Sequence, residues 1–548
     1  MNQTWSEKNV QLEGTGSVGY RSWEPSEGGT VALIVWGGTP QHAELALAAA
    51  QGGGHSDAAV LAGPLGPNAG PNARTADRGG MPSCVDVPAR ARQLDQFVRH
   101  VAEAHGRRPE DLIVLGSGLD ATAILAWVHD YAPRIQSVVL TAPVLRIGRF
   151  GAVRGPDGPR LRVATGQRRL LRHTLRRLMV DAAAIRVPTL LLDAGDDPTA
   201  GSIPARRLMA QLDTPLKRRK RLPFIGLAFD REQERRWWCD EVGSFLADVS
   251  RSDRARPSLI GADRYGYLQD EYEWLTQPLP TSSWQAFRYR LQKLGMQSLT
   301  LLSPGIRLGM RTGFDSGQML DYVYENEARG GPLGAWIDRI FLNNLAWEAC
   351  RQRRTLTRKL LREAIQRAAA SDQEVRIVDI AAGPGRYVLE TLAELPEINA
   401  SALLRDNTES NLEDGRRLAA ELGLENVEFE WGDAFDQQSL AAIRPRPNVA
   451  VSCGLYQLFR DNQMVLRSLR GLADAVQPGG YLVYTGVPWD PVGEFAARAL
   501  VNRNGDPSVL CRRTQEGLDE LVRVAGFEKI HTQIDDFGVS TVSLAQRE

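Results

Sequence analysis

Short apolar runs alternate with amphipathic helical patterns in the first part of the chain. The runs are VALIVWGG (31–38), DLIVLGSG (111–118), SVVLTAP (137–143) and TLLLDAGDD (189–197). Segments such as ARARQLDQFVRHVAEA (89–104) lie between them, with apolar side chains at helical spacing. Buried strands separated by helices are typical of a parallel sheet with helices on its faces. The pattern therefore predicts an α/β domain over residues 1–251, interrupted by a surface loop rich in Gly, Pro and Asn at 62–83.

A second series of the same kind begins near Val375. Its apolar runs are VRIVDIAAGPG (375–385), ASALLRDN (400–407), VEFEWGD (427–433), NVAVSCG (448–454), GGYLVYTG (479–486), KIHTQIDD (529–536) and VSTVSLAQ (539–546). This rhythm predicts a second α/β sheet over residues 373–548, closed by an antiparallel pair of strands. Residues 252–372 are mostly helical in pattern, and we predict a helical connector that caps the second sheet.

The composition is that of a globular protein. The 548 residues are 43% hydrophobic and 24% charged, and no apolar run reaches the roughly 18 residues that a membrane helix needs. The formal net charge is zero, so no global field attracts nucleic acid. The five cysteines are scattered without a CxxC pair, and neither a disulfide framework nor a metal site is predicted. The N-terminus lacks a secretory pattern, and a cytoplasmic location is expected.

The strongest chemical signal lies at the ends of the second series of strands. A turn of small residues follows the strand that contains Asp379 and leads into a helix, so backbone amides can face a ligand. The next strand ends in Asp406, placed to accept hydrogen bonds from a ribose diol. Ligands bind outside the carboxyl ends of the strands in a doubly wound sheet. The predicted cofactor-binding residues are Asp379, Ala381, Gly383, Gly385, Tyr387, Asp406, Asn407, Gly432, Asp433, Ala434, Ser452 and Gly454.

These residues resemble the class I S-adenosylmethionine methyltransferases, with DIAAGPG as the cofactor loop and Asp406 as the ribose-binding acid. Further segments are similar to a bacterial fusion family that joins an α/β-hydrolase-like domain to such a methyltransferase and is associated with phospholipid-synthesis genes. The segments are WVHDYAP, GFDSGQMLDYVYEN, DIAAGPGRYVLE, LLRDN, GDAF, CGLYQLF, GYLVYTGVPW and RRTQ. The resemblance implies S-adenosylmethionine as the cofactor and a Rossmann-like C-terminal sheet. The resemblance implies Glu, Gln and His at three positions where this sequence has Gln457, Val487 and Asp490. This difference bears on the identity of the methyl acceptor and not on the cofactor.

Aromatic and basic residues near the cofactor turns are candidates for binding the methyl acceptor. Aromatic side chains here could line an acceptor pocket or form the core beside the helical cap. The adjacent arginines of CRRTQ precede the last helix, and their planar groups suit phosphate or carboxylate; pairing with surface acids is the alternative. The candidates are Tyr322, Tyr324, Tyr456, Trp489, Arg512 and Arg513.

The first half has the strand, tight turn and helix of an α/β-hydrolase nucleophile elbow in VLGSGLDATAILAWVHDYAP (114–133). In the frame set by WVHDYAP, the nucleophile position is Gly118 and the base position is Leu227. Without a nucleophile or base there is no acyl-enzyme route, and we expect a catalytically silent pseudohydrolase that serves as scaffold or lid. Ser117 is the alternative nucleophile. With Ser117 as the nucleophile, Leu115 and Leu119 would occupy the two positions of the elbow that require small residues.

A basic amphipathic segment at 167–179 surrounds leucines with arginines. It could be a solvated arginine face over a packed apolar one, or a contact with an anionic lipid or a phosphorylated acceptor.

Together these features predict an S-adenosylmethionine-dependent methyltransferase that acts on a small-molecule or lipid-linked acceptor at oxygen or nitrogen. The alternatives are a bifunctional hydrolase and methyltransferase, and a non-enzymatic cofactor-binding or interaction protein. No metal and no nucleic-acid partner are expected, and the oligomeric state is left open by the sequence.

Overall fold

The computed structural model divides into two units, Met1–Pro257 and Ser258–Glu548. The residues that the structure describes are 5–12, 16–25, 31–37, 40–55, 57–65, 86–148, 152–154, 160–195, 197–224, 229–252, 256–370 and 374–548. The helical segment placed between the sheets by sequence therefore lies almost entirely in the second unit. Among the described residues, no helix is long and apolar enough to cross a bilayer.

An eight-stranded sheet forms the centre of the first unit. Its strands are β1 (Ser6–Leu12), β2 (Gly16–Trp23), β3 (Ala32–Trp36), β4 (Ala59–Leu65), β5 (Leu112–Ser117), β6 (Ser137–Thr141), β9 (Thr189–Asp193) and β10 (Lys217–Arg221), while β7 (Ala152–Arg154) and β8 (Arg160–Arg162) form a separate ribbon. The order is β1-β2-β4-β3-β5-β6-β9-β10. Strand β2 pairs antiparallel with β1 and β4, and the remaining pairs are parallel. All residues of β3, β6 and β9 are buried, as expected of parallel strands covered on both faces.

Six helices accompany this sheet in the described part of the first unit. They are α1 (Pro40–Gly52), α2 (Val87–Ala104), α3 (Gly118–Tyr131), α4 (Thr165–Val180), α5 (Ser202–Gln211) and α6 (Glu232–Arg251). Helix α2 begins at Asp86, whose side chain accepts a hydrogen bond from the Ala89 amide, and it buries Leu94, Phe97 and Val101 on one face. Of the loop predicted at 62–83, residues 62–65 belong to β4 and the rest lies outside the described residues.

A seven-stranded sheet forms the centre of the second unit. Its strands are β11 (Val375–Ile380), β12 (Ala400–Asp406), β13 (Val427–Trp431), β14 (Val449–Ser452), β15 (Tyr481–Gly486), β16 (Phe527–Ile534) and β17 (Thr541–Arg547). The order is β13-β12-β11-β14-β15-β17-β16. The first five strands are parallel, and β17 pairs antiparallel with β15 and β16. The chain reverses its strand order beside β11, which is where a doubly wound sheet opens a crevice for a ligand.

Helices cover both faces of this sheet and build a cap on it. The helices that follow β11 are α13 (Arg386–Ala393), α14 (Glu409–Glu421), α15 (Gln437–Ala441), α16 (Asn462–Ala475), α17 (Gly493–Ala499) and α18 (Gln515–Val524), and α17 packs on the cap. The preceding helices are α7 (Tyr267–Thr276), α8 (Trp284–Leu299), α9 (Pro304–Thr312), α10 (Gly317–Glu325), α11 (Pro332–Leu342) and α12 (Leu345–Ala369). Leu360, Leu361 and Ile365 of α12 are fully buried in one cluster with β11 and α13. Helix α12 therefore ties the cap to the sheet.

One buried carboxylate fixes the cap helices to each other. Asp338 on α11 accepts hydrogen bonds from the Ser303 hydroxyl, the Gly305 amide, the Tyr322 hydroxyl and the Arg329 amide. Because all these donors converge on one fully buried group, α9, α10 and α11 are held in a single arrangement.

Candidate functional site

The glycine turn after β11 takes the left-handed conformations that small residues allow. Ala381, Gly383 and Gly385 have φ values of 53°, 58° and 70°. A Cβ atom on Gly385 would lie 2.4 Å from a methyl carbon of Leu404, so the helix that starts here packs closely on β12. Apart from its two chain neighbours, no atom of the described residues would lie within 4 Å of a Cβ atom on Gly383, so the turn is open at that position.

Asp406 ends β12 and fixes this turn from the neighbouring strand. Its Oδ2 accepts a hydrogen bond from the Gly383 amide at 2.8 Å, and its Oδ1 accepts from the Thr408 amide at 2.9 Å and from Asn411 Nδ2 at 3.1 Å. A carboxylate has about four acceptor positions, so three donors orient the group without saturating it. Asp406 is a positioned acceptor at the edge of a cavity.

This cavity has a volume of about 380 Å³ and lies at the carboxyl ends of β11, β12, β13 and β14. Ten of the twelve predicted cofactor residues line it. They are Ala381, Gly383, Gly385, Tyr387, Asp406, Asn407, Gly432, Asp433, Ala434 and Gly454. Turns from four strands, distant in sequence, thus meet at one edge of the sheet, and we call this space the strand-end cavity.

The other two predicted residues lie behind its wall. Asp379 is fully buried, and its Oδ2 accepts a hydrogen bond from the Tyr387 hydroxyl at 2.7 Å. Burial raises the pKa of Asp379 well above its usual value, and the nearby Asp406 adds to the rise. Ser452 is the last residue of β14 and points into the core, while Cys453 and Gly454 reach the cavity. The predicted ligand contacts of Asp379 and Ser452 are therefore corrected to supporting positions.

Three aromatic side chains that the sequence reasoning missed also line the strand-end cavity. Trp431 is 62% exposed, and its indole N–H donates to the Asn407 carbonyl at 3.1 Å. Phe435 and Phe459 meet edge to face with ring centroids 4.5 Å apart. All three line the cavity. The available signal was an aromatic residue at the end of β13, directly before Gly432. Flat aromatic surfaces beside Asp406 suit a planar base.

A second cavity of about 510 Å³ adjoins the first and is mostly apolar. Its walls come from α8, α9, α11, α12 and α17 and from loops of the sheet, with Phe314, Ile337 and Phe495 among the lining residues. Five residues line both spaces, namely Asp315, Leu320, Arg353, Gly454 and Leu458. We call this second space the apolar cavity. Its size lies within the range of about 300–1,000 Å³ typical of small-molecule sites.

Three residues that depart from the family resemblance line the apolar cavity together. They are Gln457, Val487 and Asp490. The Gln457 Oε1 atom is buried without a hydrogen-bond partner among the described residues. Burial raises the pKa of Asp490 to about 6, although its carboxylate accepts a hydrogen bond from the Val492 amide at 3.1 Å. The apolar cavity thus offers a few polar groups in apolar surroundings.

Arg353, on α12, lies where the two cavities meet. It is 6% exposed, and its guanidinium donates to Cys350 Sγ at 3.4 Å and to the Tyr324 hydroxyl. Burial lowers the pKa of Arg353, but Cys350, Tyr324 and Cys453 raise it well above its ordinary value, and none of these three groups is a carboxylate. Its Nε has no partner among the described residues. A buried cation without an anion is costly, so this position favours an anionic ligand group.

Among the predicted aromatic acceptor residues, only Tyr324 lines one of these two cavities. Tyr322 donates its hydroxyl to Asp338, and Tyr456 is buried in the core with its hydroxyl 3.2 Å from Ser468 Oγ. Trp489 lies against the guanidinium of Arg512, outside both cavities. The prediction of an aromatic acceptor pocket is thus wrong for these three, because their rings serve the packing of the cap and sheet.

The two predicted anion-binding arginines are engaged within the protein. Arg512 pairs with Glu271 and donates to the Pro488 carbonyl at 2.7 Å. Arg513 donates to Asn462 Oδ1 and to the carbonyl oxygens of Tyr456, Phe459, Arg460 and Cys511. The prediction that they clamp an acceptor is therefore replaced by a structural role, in which they hold the chain before α18 against α7 and the end of β14.

The segment predicted to be a nucleophile elbow consists of a strand, a sharp turn and a helix, with Gly118 at the turn. Strand β5 ends at Ser117 and α3 begins at Gly118, which has a φ of 57°. A Cβ atom on Gly116 would lie 2.5 Å from Ile124, so bulk is excluded there. Asp120 is buried in an ion pair with Arg90. The predicted base position Leu227 lies outside the described residues.

The basic segment at 167–179 forms most of α4, and its apolar face is covered. Leu171, Leu175 and Leu178 are buried, and Arg177 is buried in an ion pair with Asp130. This agrees with a packed apolar face. Arg169, Arg172 and Arg176 of the same helix are exposed, and their contact with an anionic lipid or a phosphorylated acceptor stays a prediction.

The sheet order and the convergence of turns at its strand ends define the second unit as a Rossmann-like domain with a ligand site at the switch in strand order. The chain belongs to the family described as "Putative methyltransferase", whose sequence model matches residues 242–547. It is 35% identical over 496 residues to the uncharacterized protein YnbC of Escherichia coli (strain K12), across 83% of this chain and 84% of that protein.

Two solved structures are more distantly similar. A possible exported protein from Bordetella parapertussis is 18% identical, with 53% of this chain and 96% of that chain covered at a TM-score of 0.38. A SAM-dependent methyltransferase from Methanosarcina mazei is 17% identical, with 32% of this chain and 93% of that chain covered at a TM-score of 0.26. With TM-scores this low, neither similarity bears on the function.

Proposed function

We propose that the protein is an S-adenosylmethionine-dependent methyltransferase that methylates a small-molecule or lipid-linked acceptor at oxygen or nitrogen. The observation that carries the proposal is the pair of adjoining cavities, one at the strand ends and one apolar, with five residues in common. Methyl transfer needs the acceptor atom in line with the methyl donor, and two spaces that share a wall provide for this arrangement.

The strand-end cavity fits the cofactor group by group. Asp406 would accept hydrogen bonds from the ribose hydroxyls, and Trp431 and Phe435 would flank the adenine ring. Arg353 would pair with the carboxylate of the amino-acid part, which supplies the anion that this buried cation lacks. When bound, S-adenosylmethionine would supply an electrophilic methyl group on a sulfonium centre.

The residues of the apolar cavity would bind and orient the acceptor. Its apolar walls exclude water and favour an acceptor with a large apolar part. Gln457 offers an unpartnered buried oxygen that suits an N–H or O–H donor of the acceptor. Asp490, with a pKa raised to about 6 by burial, would be ionised near neutral pH and able to accept a proton from the acceptor.

For the first unit we propose a catalytically silent α/β-hydrolase-like scaffold. The strand order β1-β2-β4-β3-β5-β6 and the sharp β5–α3 turn support the hydrolase likeness. The side chain missing at Gly118 argues against acyl-enzyme chemistry and against the bifunctional alternative.

Calorimetry with S-adenosylmethionine tests the proposal. We expect saturable binding, and a loss of about 1–3 kcal/mol in Asp406→Ala when the ribose contacts are removed. Asp414→Ala, which removes an acid from the surface of α14, is the matched control and should bind as the wild type. The absence of binding to folded protein, or equal affinity in Asp406→Ala, would contradict the cofactor assignment. Transfer of labelled methyl groups into fractionated metabolites and lipids would then identify the acceptor.

A further inference from the structure

Large apolar side chains are exposed on one part of the cap. Of the fifteen that are exposed among the described residues, nine lie between Trp284 and Ile340. They are Trp284, Phe287, Leu291, Leu294, Leu301, Leu302, Leu333, Trp336 and Ile340. Leu301 is 79% exposed and Trp284 is 74% exposed. We call these nine residues the apolar face. Soluble monomers rarely expose so many large apolar side chains together, and such patches mark interaction sites.

The apolar face follows the helical repeat. Trp284, Phe287, Leu291 and Leu294 are spaced three and four residues apart, so they form one stripe along α8. The opposite side of α8 is the packed side, where Ala286 and Tyr289 are buried. On α11, Leu333, Trp336 and Ile340 repeat the same spacing. Both helices therefore use one side for the fold and leave the other apolar side uncovered.

The charged residues of the segment 284–312 have one sign, and Glu494, the acid that reaches α8 from α17, lies beside Tyr289 on the packed side. Residues 284–312 contain Arg288, Arg290, Lys293, Arg307 and Arg311 and not a single Asp or Glu. All five are exposed. At 100° per residue, Arg288 and Arg290 lie on either side of the α8 stripe. The one acid of α11, Asp338, is buried and bonded within the cap. Helices with Trp, Phe and Leu on one face and Lys or Arg at its margins are typical of those that lie in the surface of an anionic bilayer.

The apolar face is continuous with the apolar cavity. Met296 and Leu299 at the end of α8, and Ile337 and Ile340 on α11, line that cavity. Ile340 is also 56% exposed, so it lies at the rim. The first turn of α11 packs on the loop after α8, since a Cβ atom on Gly334 would lie 2.4 Å from the Leu302 carbonyl oxygen. The cavity thus opens beside the exposed apolar side chains.

We propose that the apolar face is a docking surface for an anionic lipid bilayer, through which an acceptor with a hydrophobic chain enters the apolar cavity. The bilayer contact rests on the cap helices alone, whereas the entry of an acceptor rests on the proposed function. No described helix can span a bilayer, so the contact is peripheral. Trp284 and Trp336 would lie at the level of the headgroups, and the basic residues would face anionic phosphates.

Vesicle flotation of the full chain tests the docking surface. The wild type should float with vesicles of phosphatidylglycerol and phosphatidylethanolamine and bind less to vesicles of phosphatidylcholine alone. The triple variant Trp284→Gln, Leu291→Gln, Leu294→Gln should stay in the unbound fraction. The double variant Arg288→Gln, Arg290→Gln should bind the anionic vesicles about 25-fold more weakly, since each basic residue near an anionic surface contributes about fivefold. The matched control is Val180→Gln with Ile203→Gln, which removes equally exposed apolar groups from the first unit.

The outcomes separate the possible occupants. An unaltered melting temperature and unaltered calorimetric S-adenosylmethionine binding in the triple variant show that it is folded, and flotation equal to the wild type then overturns the proposal. A wild type that does not float also overturns it. A wild-type dimer in light scattering that the triple variant converts to monomer, without vesicle binding, assigns the face to a second copy instead. Vesicle binding without S-adenosylmethionine binding would overturn the proposed function and leave the docking surface intact.

Discussion

The buried charge of Arg353 leads to a prediction in which stability and ligand binding change in opposite directions. The guanidinium is almost fully buried, and its hydrogen-bond partners are the Cys350 thiol and the Tyr324 hydroxyl rather than a carboxylate. Replacement by Met keeps much of the side-chain volume and removes the desolvated cation. Replacing buried ionic groups by apolar ones is often neutral or stabilising, by up to about 4 kcal/mol. We therefore expect ligand-free Arg353→Met to be at least as stable as the wild type in urea unfolding.

The same substitution should weaken the cofactor complex. A carboxylate paired with Arg353 would gain charge-assisted hydrogen bonds, worth about 1.5–3 kcal/mol, so the Kd for S-adenosylmethionine should rise about 10- to 150-fold. Calorimetry measures this change directly. Arg362→Met is the matched control, because it makes the same substitution on the same helix at an arginine that pairs with Glu394 outside both cavities. The control should lose little stability and no affinity.

Two results would refute the reasoning. A ligand-free Arg353→Met that is less stable by several kcal/mol would mean that the cation is satisfied within the protein. An unchanged Kd for S-adenosylmethionine with a lower kcat/KM would move the anion from the cofactor to the acceptor, since only the second substrate would then depend on Arg353.

Three further outcomes are expected. A fluorophosphonate probe should leave Ser117 unlabelled, because the centre of the elbow is Gly118, and labelling of Ser117 would restore a hydrolase function. Asp490→Asn should be more stable than the wild type by about 3 kcal/mol above pH 6, because the folded pKa of Asp490, about 6, exceeds the unfolded value of about 3.9. The stability that protonated Asp490 contributes is present below about pH 4 and is lost as the pH rises through 6. A stability difference in urea unfolding that does not depend on pH would contradict this. Arg513→Ala should lower the free energy of unfolding by about 2–4 kcal/mol, because several buried carbonyl oxygens lose their donor, while the calorimetric affinity for the cofactor stays the same. Unchanged stability with a weaker cofactor affinity would instead place Arg513 in the ligand site.

Some site residues could be predicted because the sequence features that mark them are local, and others could not because their position depends on distant parts of the chain. Gly383, Gly385 and Asp406 were recognisable because a turn and a strand end are local features, and parallel strands bring their carboxyl ends to one edge of the sheet. Asp379 and Ser452 are as close to those ends. Their side chains point into the core because direction alternates along a strand, and the pattern of apolar residues did not decide which side faces the ligand.

Arg353 escaped the sequence reasoning for a different reason. Its segment is an arginine-rich helix, in which most arginines pair with acids on the surface, as Arg358 and Arg362 do with Glu394. Only the packing of α12 on the sheet determines which arginine of this helix is buried and which are exposed.

Arg512 and Arg513 were predicted to bind a ligand, whereas the structure pairs them within the protein. Their adjacency suggested a clamp, but adjacent side chains of an extended segment point apart and found separate partners.

By itself, the sequence determined the two α/β sheets, the helical segment between them and the turns of the strand-end cavity. These depend on the period of apolar residues and on small residues at sharp turns, which are short-range properties of the chain. The apolar cavity exists only because of the tertiary structure, which also places Arg353 where the apolar cavity meets the strand-end cavity. The tertiary structure likewise determines which amphipathic segment is left uncovered. Leu171, Leu175 and Leu178 of α4 and Leu291 and Leu294 of α8 follow similar helical patterns, yet the first three are buried and the last two exposed. Periodicity shows that a face is apolar, and only the packing of the whole unit determines what covers it.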